Sequence, residues 1–327
     1  MASNFDSSVL VTGGTVGLGY QCALAIARQH PNYQVVVASR SDLNASANAI
    51  NEILDQENVL FMKLDLSSFS GVRSFVAEWE LKKFPPIQSL VFNAALQLSG
   101  PLEYSVDGIE KTFAISHVGH ALLFSLLRSH LADTARIVIV SSGTHDPAQK
   151  TGLPDAKYRS AEELAHPPAA LARANGRQHY TNTKLANVLY GYALHRRFQT
   201  IQKKSGKHWT VTVMDPGLMP GTGIFRDANP VFRFLWVWLV PRILPVLRFL
   251  LTPNINTPEE SGAALARLAV GSDVEGASGM YFEGRKKIKS SQLSYDEAKQ
   301  EDLWEWTVDS LAINQEERSA FALLDLV

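Results

Sequence analysis

Short apolar runs alternate with longer amphipathic stretches along this chain. Seven runs are rich in β-branched residues and apolar at consecutive positions: 8–12, 34–38, 59–64, 89–92, 136–140, 209–214 and 279–282. Strands that are apolar on both faces are typical of a parallel sheet covered by helices on each side. The stretches between them predict helices at about 17–29, 42–56, 69–83, 107–131, 177–199, 257–270 and 294–315. The pattern therefore predicts an α/β fold with a doubly wound parallel sheet of seven strands.

Two of these helices begin with capping signatures. Thr257 precedes a proline and has Glu260 three residues later, and Ser294 stands in the same relation to Glu297. A serine or threonine N-cap with a glutamate at the third helical position satisfies two backbone N–H groups. The sequence therefore predicts helix N-termini directly after Thr257 and Ser294.

Three stretches do not follow the alternation. They are an insertion rich in proline, alanine and small polar residues at 145–178, an apolar segment at 222–256, and a helical tail at 285–327. The 327 residues contain no internal repeat or low-complexity linker. One α/β unit takes roughly 250 residues, so we expect a single domain over 1–327 that carries these three additions.

The apolar segment is most pronounced at 231–252. Three arginines and two prolines interrupt it, and only eight residues, Phe234 to Pro241, lie between the first two arginines. A membrane-spanning helix needs about 20 apolar residues, so no transmembrane span is expected. Three interpretations remain open: packing in the core or at a dimer interface, a lid over an apolar substrate, and contact with a membrane surface.

Composition and charge narrow the class of partner. The chain has 31 basic and 32 acidic residues, so we expect no binding to nucleic acid through a global positive charge. Its one cysteine, Cys22, excludes an intrachain disulfide and a cysteine-rich zinc site. Strand-like sequence begins by Val9 and leaves no room for a signal peptide before it. We therefore expect a cytoplasmic protein, peripheral to a membrane if 231–252 contacts one.

A glycine-rich turn follows the first predicted strand. Residues 12–19 read TGGTVGLG and lead into a helical run. Such a turn brings backbone N–H groups and the positive end of a helix dipole close to a pyrophosphate. The spacing differs from GxGxxG and from the phosphate-binding loop GxxxxGK[ST]. A dinucleotide site is the functional interpretation, and a simple tight turn is the alternative.

The end of the second predicted strand bears on the choice of dinucleotide. Proteins that prefer NAD generally place an acidic residue here against the ribose 2′-hydroxyl, whereas this chain has Ser39 and Arg40. An arginine pairs with a 2′-phosphate through its planar guanidinium, and a serine adds a hydroxyl. The sequence therefore favours NADP(H), with a solvated arginine as the alternative.

Candidate acid–base residues lie on one predicted helix and at the end of a neighbouring strand. Tyr180 and Lys184 are four residues apart and therefore face the same side of a helix. A nearby ammonium lowers the pKa of a phenol and helps it to exchange a proton near neutral pH. Ser142 follows the fifth predicted strand and brings a hydroxyl to the carboxyl end of the sheet. Together these groups could polarise a carbonyl while a nicotinamide supplies hydride.

As an ordered set, these motifs resemble the short-chain dehydrogenase/reductase family over most of the chain. The resemblance implies a Rossmann-type fold, with Tyr180 as the proton donor, Ser142 on the substrate oxygen and Lys184 on the nicotinamide ribose. It also implies that Asp65 contacts the adenine and that Thr222 contacts the carboxamide. The implied cofactor-binding residues are Gly13, Thr15, Gly17, Leu18, Gly19, Ser39, Arg40, Asp65, Leu66, Asn93, Ala94, Lys184, Pro216, Gly217 and Thr222.

Within the family, 113–123 and 217–225 resemble the branch of the retinol dehydrogenases and protochlorophyllide reductases. Two positions depart from the pattern. The family usually has Asn-His where this chain has Ser116-His117, and its asparagine completes a proton relay, so Ser116 is the candidate relay residue with a shorter reach. Protochlorophyllide reductase has a cysteine directly after its Pro-Gly, where this chain has Leu218. This difference argues against the light-driven reaction.

Several other side chains invite a functional interpretation. His117 and His120 lie three residues apart without a third ligand, so helix packing is favoured and no metal site is expected. His145 and the residue after it either line the rim of the pocket or form a simple turn. Trp304 and Trp306 are expected to pack the helical tail.

The sequence predicts an NADPH-dependent carbonyl reductase for an apolar, medium-sized ketone or aldehyde. A polyketide-type intermediate of secondary metabolism is the preferred substrate. The same residues would support an alcohol or retinol-type dehydrogenase in the reverse direction. The remaining hypotheses are a weakly active dinucleotide-binding regulator and a lyase or isomerase on this fold. A homodimer through the helices at 107–131 and 177–199 stays open.

Overall fold

The sheet is built from the apolar runs of the sequence. The computed structural model describes residues 5–98, 100–169, 176–220, 244, 248, 252 and 254–323. Its strands are β1 (Ser7–Thr12), β2 (Tyr33–Ser39), β3 (Val59–Lys63), β4 (Ile87–Phe92), β5 (Leu131–Val140), β6 (Thr210–Asp215), β7 (Met280–Glu283) and β8 (Lys286–Ile288). They form one sheet in the order β3-β2-β1-β4-β5-β6-β7-β8. The order reverses between β1 and β4, which is the switch point where ligands of such sheets bind.

Seven strands run parallel, as the uninterrupted apolar pattern predicts. Val9 on β1 pairs with Val35 on one side and Ser89 on the other, and these strand centres are almost completely buried. The prediction of seven strands was wrong by one, because β8 adds an antiparallel edge through the pairs Tyr281 with Ile288 and Glu283 with Lys286. It has three largely exposed residues, two of them lysines, and such an edge has no hydrophobic signature.

Helices cover both faces of the sheet. They are α1 (Gly17–Gln29), α2 (Ser46–Leu54), α3 (Phe69–Lys82), α4 (Lys111–Phe113), α5 (Gly119–Leu127), α6 (Ala161–Ala165), α7 (Gly176–Ser205), α8 (Pro258–Val270), α9 (Glu297–Leu311) and α10 (Gln315–Phe321). A π-helical turn, Ala114–Val118, joins α4 to α5. One core layer includes Phe75, Phe124 and Leu189, and the other includes Cys22, Ile26 and Leu265.

The two capping predictions had different outcomes. Thr257 caps α8 with its hydroxyl on the N–H of Glu260, and the Glu260 carboxylate returns to the N–H of Thr257. Ser294 does not cap α9, because it lies in a 3₁₀ turn and bonds to the Ser291 carbonyl. The cap is Asp296, whose carboxylate accepts from the N–H of Lys299. The helix therefore starts two residues later than the pattern predicted.

The insertion and the tail pack against each other. Tyr158 donates its phenol hydrogen to Asp302 over 2.7 Å, and the N–H of Ala161 donates to the same carboxylate over 2.8 Å. Asn182 on α7 accepts the N–H of Lys157 over 2.8 Å and so ties the insertion to the helix that carries Tyr180. Most of the apolar segment, with Thr222, lies outside the described residues. Within the described part of the chain, no helix is long and apolar enough to span a membrane.

Candidate active site

A cleft of about 520 Å³ opens at the carboxyl ends of the strands on both sides of the switch point. It brings together most of the residues that the sequence singled out. Of the site residues predicted from the sequence, those that line the cleft are Gly13, Thr15, Gly17, Leu18, Gly19, Ser39, Arg40, Asp65, Leu66, Asn93, Ala94, Tyr180, Lys184 and Pro216. Lining residues that the sequence analysis missed include Leu43, Asn44, Leu96, Ile115 and Met219. Ser142, Ser116 and Gly217 lie near the cleft but not in its lining, and Thr222 is outside the described residues.

The glycine turn after β1 has no space for a side chain at Gly13, Gly14 or Gly19. Gly13 has a φ of +64°, and a Cβ at Gly19 would lie 2.3 Å from the Gly13 carbonyl oxygen. The residue before α1, Val16, provides no side-chain cap, and the first turn of α1 holds no acidic residue. Free N–H groups at a helix start favour an anion, so the turn fits the pyrophosphate of a dinucleotide.

Asn93 holds this turn in place from the end of β4. Its amide donates to the Thr12 carbonyl over 2.8 Å and lies 3.3 Å from the Gly13 carbonyl. The Thr12 hydroxyl in turn accepts the N–H groups of Asn93 and Ala94 over 3.0 and 3.1 Å. His120 lies beneath, with Nε2 2.8 Å from the same hydroxyl. The ends of β1 and β4 are therefore locked together around the switch point.

The end of β2 presents polar groups to the same cleft. Thr15 donates its hydroxyl hydrogen to Ser39 over 3.1 Å, which connects the glycine turn to β2. Arg40 is exposed and forms no hydrogen bond or ion pair with the described part of the chain. In the loop after β3, Asp65 accepts both the N–H and the hydroxyl of Ser67. These groups line one end of the cleft, and Tyr180 and Lys184 line it as well.

Tyr180 and Lys184 lie one turn apart on α7 and are both buried. The Ser142 hydroxyl is hydrogen-bonded to the Tyr180 phenol. Lys184 donates from Nζ to the Val140 carbonyl over 3.0 Å and lies over the Tyr180 ring, 5.5 Å from its centroid. The end of β5 and one face of α7 thus place a phenol, a hydroxyl and an ammonium together.

Burial dominates the acid–base properties of both groups. It raises the pKa of Tyr180 to about 12, and the hydrogen bond with Ser142 opposes this rise. Burial also lowers the pKa of Lys184 to about 8, against the charge of Asp215. In the chain alone, Ser142 is therefore the group whose contact lowers the phenol pKa, a role that the sequence reasoning gave to Lys184.

Asp215 is a buried carboxylate to which the sequence reasoning gave no role. It accepts the N–H of Gly217 over 2.9 Å and the amide of Asn254 over 2.8 Å. It also accepts the N–H of Gly143, directly after Ser142. One side chain therefore holds the loops after β5 and β6 together. Its position in Asp215-Pro216-Gly217, at a strand end, was the available signal.

Ser116 lies in the π-helical turn and is 1% exposed. Its hydroxyl accepts the N–H of Leu96 over 3.2 Å, so it supports the loop after β4. The next residue, His117, stacks on the ring of Phe113, and its Nδ1 is hydrogen-bonded to Asn187 over 3.2 Å. No group of three metal-ligating side chains occurs among the residues that the structure describes.

His145 does not line the rim of the pocket. It is 1% exposed and lies in the 3₁₀ turn Gly143–His145, packed against the ring of Tyr281. Asp146 caps the following 3₁₀ turn through the N–H of Ala148. The sequence gave no reason to expect a buried histidine here, because its partners lie in distant parts of the chain.

Comparisons with known proteins agree with this geometry. Residues 7–152 match the family model described as short chain dehydrogenase, and 225–320 match one described as AcuH dehydrogenase domain. A human polyprenol dehydrogenase is 31% identical over 307 residues, which cover 91% of this chain and 83% of the relative. A protochlorophyllide reductase of Pisum sativum is 29% identical, over 91% of this chain and 76% of that protein.

A solved structure shares the fold. It is a blue fluorescent protein from a metagenomic library in complex with NADPH, with a TM-score of 0.60 and 21% identity, over 86% of this chain and 99% of that one. Together with the sequence relatives, the sheet order and the site define a nicotinamide-dependent oxidoreductase that acts on CH–OH or C=O groups. The chain belongs to the short-chain dehydrogenase/reductase family, as its resemblance to the retinol dehydrogenase and protochlorophyllide reductase branch implied.

Proposed function

We propose that this protein is an NADPH-dependent reductase of apolar, medium-sized ketones or aldehydes. The observation that carries the proposal is the cleft itself, with Arg40 among its lining residues and with Tyr180 and Lys184 beside Ser142. When bound, the nicotinamide supplies or accepts the hydride. An apolar substrate is proposed because the apolar segment at 222–256 follows Pro216 and Gly217 in the sequence. Among apolar ketones we prefer a polyketide-type one, because the branch that the sequence resembles is similar to reductases of secondary metabolism.

Each catalytic group has one role in the proposed reaction. Ser142 donates a hydrogen bond to the substrate oxygen and holds it beside the phenol. As negative charge develops on that oxygen, Tyr180 transfers its proton to it. Lys184 holds the ribose and keeps a positive charge beside the phenolate that remains, which stabilises it. Tyr180 and Lys184 are buried and Ser142 is half-buried, which limits access of water and strengthens these interactions.

Alcohol oxidation by the same residues is the second candidate. It is favoured because the human relative is named a polyprenol dehydrogenase. In that direction Tyr180 accepts the proton, which requires its deprotonated form.

We place the protein in the cytoplasm, with 231–252 as the segment that would contact a membrane surface or cover the substrate.

Tyr180→Phe tests the proposed function. Oxidation of NADPH with a panel of apolar ketones and aldehydes should fall by at least about a hundredfold, because general acid catalysis contributes on the order of 10²–10⁴. NADPH binding, followed by its fluorescence, should remain. Tyr190→Phe on the same buried helix removes a hydroxyl away from the cleft and should keep full activity. Undiminished turnover by Tyr180→Phe would refute the role of the tyrosine as the acid. Absence of NADPH oxidation by the unaltered protein with every carbonyl compound would favour a regulator, a lyase or an isomerase.

A further inference from the structure

The carbonyl group of Ser142 is fixed by a histidine from its own loop. Nδ1 of His145 lies 2.7 Å from the Ser142 carbonyl oxygen, and the backbone N–H of His145 donates to the same oxygen over 3.2 Å. A carbonyl oxygen has two lone pairs, so both are occupied. The peptide unit directly after Ser142 is thereby held in one orientation.

The other ring nitrogen of His145 reaches a distant part of the chain. Nε2 accepts the N–H of Ser291 over 3.0 Å, at the start of the helical tail and 146 residues later in the sequence. Tyr281 on β7 covers the ring, with centroids 4.7 Å apart. The imidazole therefore joins the loop after β5 to the point where the tail leaves β8.

These two contacts determine the state of the imidazole. A backbone N–H is only a donor and a carbonyl only an acceptor, so Nε2 must be unprotonated and Nδ1 must carry the hydrogen. If the imidazole were charged, its Nε2–H would face the N–H of Ser291, and two donors would meet without an acceptor. Burial lowers the pKa of His145, and the bond to the Ser142 carbonyl and the charges of Asp146 and Asp215 oppose this only in part, so the ring stays neutral.

We propose that His145 is a positioning residue that couples docking of the helical tail to the orientation of the Ser142 hydroxyl. The inference rests on the proposed role of Ser142. The tail itself is anchored on α7, because the Ser290 hydroxyl bonds to Tyr192 on that helix over 2.6 Å. Within the tail, Ser290 also bonds to Ser294 over 2.7 Å. Tail, histidine and serine loop therefore form one continuous hydrogen-bonded path to the site.

Two substitutions of His145 test its contacts with Ser142 and with Ser291 one at a time. His145→Gln places an amide oxygen near Nε2 and can keep the Ser291 contact, but it loses the bond to the Ser142 carbonyl. His145→Asn places an amide N–H near Nδ1 and can keep the Ser142 contact, but it loses the bond to Ser291. Ser291→Ala is the matched control, since it retains the backbone N–H and removes a hydroxyl that has no hydrogen-bond partner within the described chain.

We expect His145→Gln to lower kcat by about tenfold to a hundredfold, as a misplaced catalytic group does. KM and NADPH affinity should stay unchanged. In alcohol oxidation, the limb of the pH profile that reports ionisation of Tyr180 should move to higher pH, because the Ser142 hydrogen bond that lowers this pKa is weakened. His145→Asn should keep most of kcat and lose thermal stability. Ser291→Ala should behave as the unaltered chain.

Three results would overturn the proposal. One is unchanged kcat in a folded His145→Gln while Ser142→Ala is inactive. Another is an equal loss in both His145 variants that follows their thermal stability, without a shift of the pH limb. The third needs no variant: an Nε2–H or charged His145 ring in ¹⁵N NMR of the unaltered protein near neutral pH. If Ser142→Ala is itself fully active, the proposed function fails instead.

Discussion

Arg40 determines the cofactor preference that we propose. It is exposed, lines the cleft and forms no hydrogen bond or ion pair with the described residues, so its guanidinium is available to a 2′-phosphate. We expect Arg40→Ala to weaken NADPH binding about tenfold, a modest value because the contact is solvated. NADH binding should not change. Fluorescence titration with both dinucleotides measures this difference.

The control for Arg40 is another exposed arginine, Arg28, that lies away from the cleft. Arg28→Ala removes a like charge from the last turn of α1, at the far end of that helix from the glycine turn. It should leave both affinities unaltered. An equal loss of NADPH and NADH binding in Arg40→Ala would show that the arginine supports the fold of the loop and does not bind the 2′-phosphate.

Some residues of the site could be predicted from the sequence, whereas contacts between distant residues could not. Gly13 and Asn93 could be placed in one site because they directly follow strands, and parallel strands bring those ends to one edge. Tyr180 and Lys184 were assigned to it by their spacing on one helix and by the family resemblance. The partner of His145 could not be predicted, since a contact over 146 residues leaves no local pattern. The burial that raises the pKa of Tyr180 likewise depends on what packs around it.

At the scale of whole elements, the tail is a part of the core beside α7. Trp304 on α9 stacks on Tyr190 with centroids 5.5 Å apart, and the Arg197 guanidinium lies over the Trp304 ring, 3.9 Å from its centroid. Trp304 is 4% exposed, so Trp304→Ala should lower the free energy of unfolding by about 3–5 kcal/mol. Denaturant titration measures this loss.

Trp306 on the same helix provides the comparison. It is only half-buried and donates its indole N–H to Glu162 over 2.8 Å. We expect Trp306→Ala to cost about 1 kcal/mol, the usual size for a position outside the core. Equal costs for the two tryptophans would mean that α9 does not pack as described.

The elements themselves were predicted to different degrees. Strands β1 to β7 were recognisable because burial on both faces demands uninterrupted apolar runs. The edge strand β8, the π-helical turn Ala114–Val118 and the 3₁₀ start of the tail were missed. These features are set by what packs on them, and a π-helical turn differs from an α-helix by one residue of register without a marker in composition.

At the scale of the whole molecule, the tail covers the two helices that the sequence left open as a dimer interface. α9 lies on α7 and α10 packs against α5. Arg73 on α3 pairs with Glu317 on α10 over 2.7 Å, and Phe321 at the end of α10 is 3% exposed. Large apolar faces of α5 and α7 are therefore already buried within one chain.

We therefore expect that copies of this chain do not pair through α5 and α7. The chain has a mass of 36.0 kDa, so sedimentation equilibrium across a wide concentration range measures whether copies associate, and cross-linking identifies the helices at any interface. Glu317→Arg places like charges at the Arg73 contact and should loosen α10, so any association through the uncovered α5 should appear in this variant first. Arg318→Glu, at the neighbouring exposed pair with Asp309, is the matched control. A dimer of the unaltered chain that cross-links between α5 or α7 of two copies would contradict the prediction, because it requires the tail to leave the surface on which it is packed here.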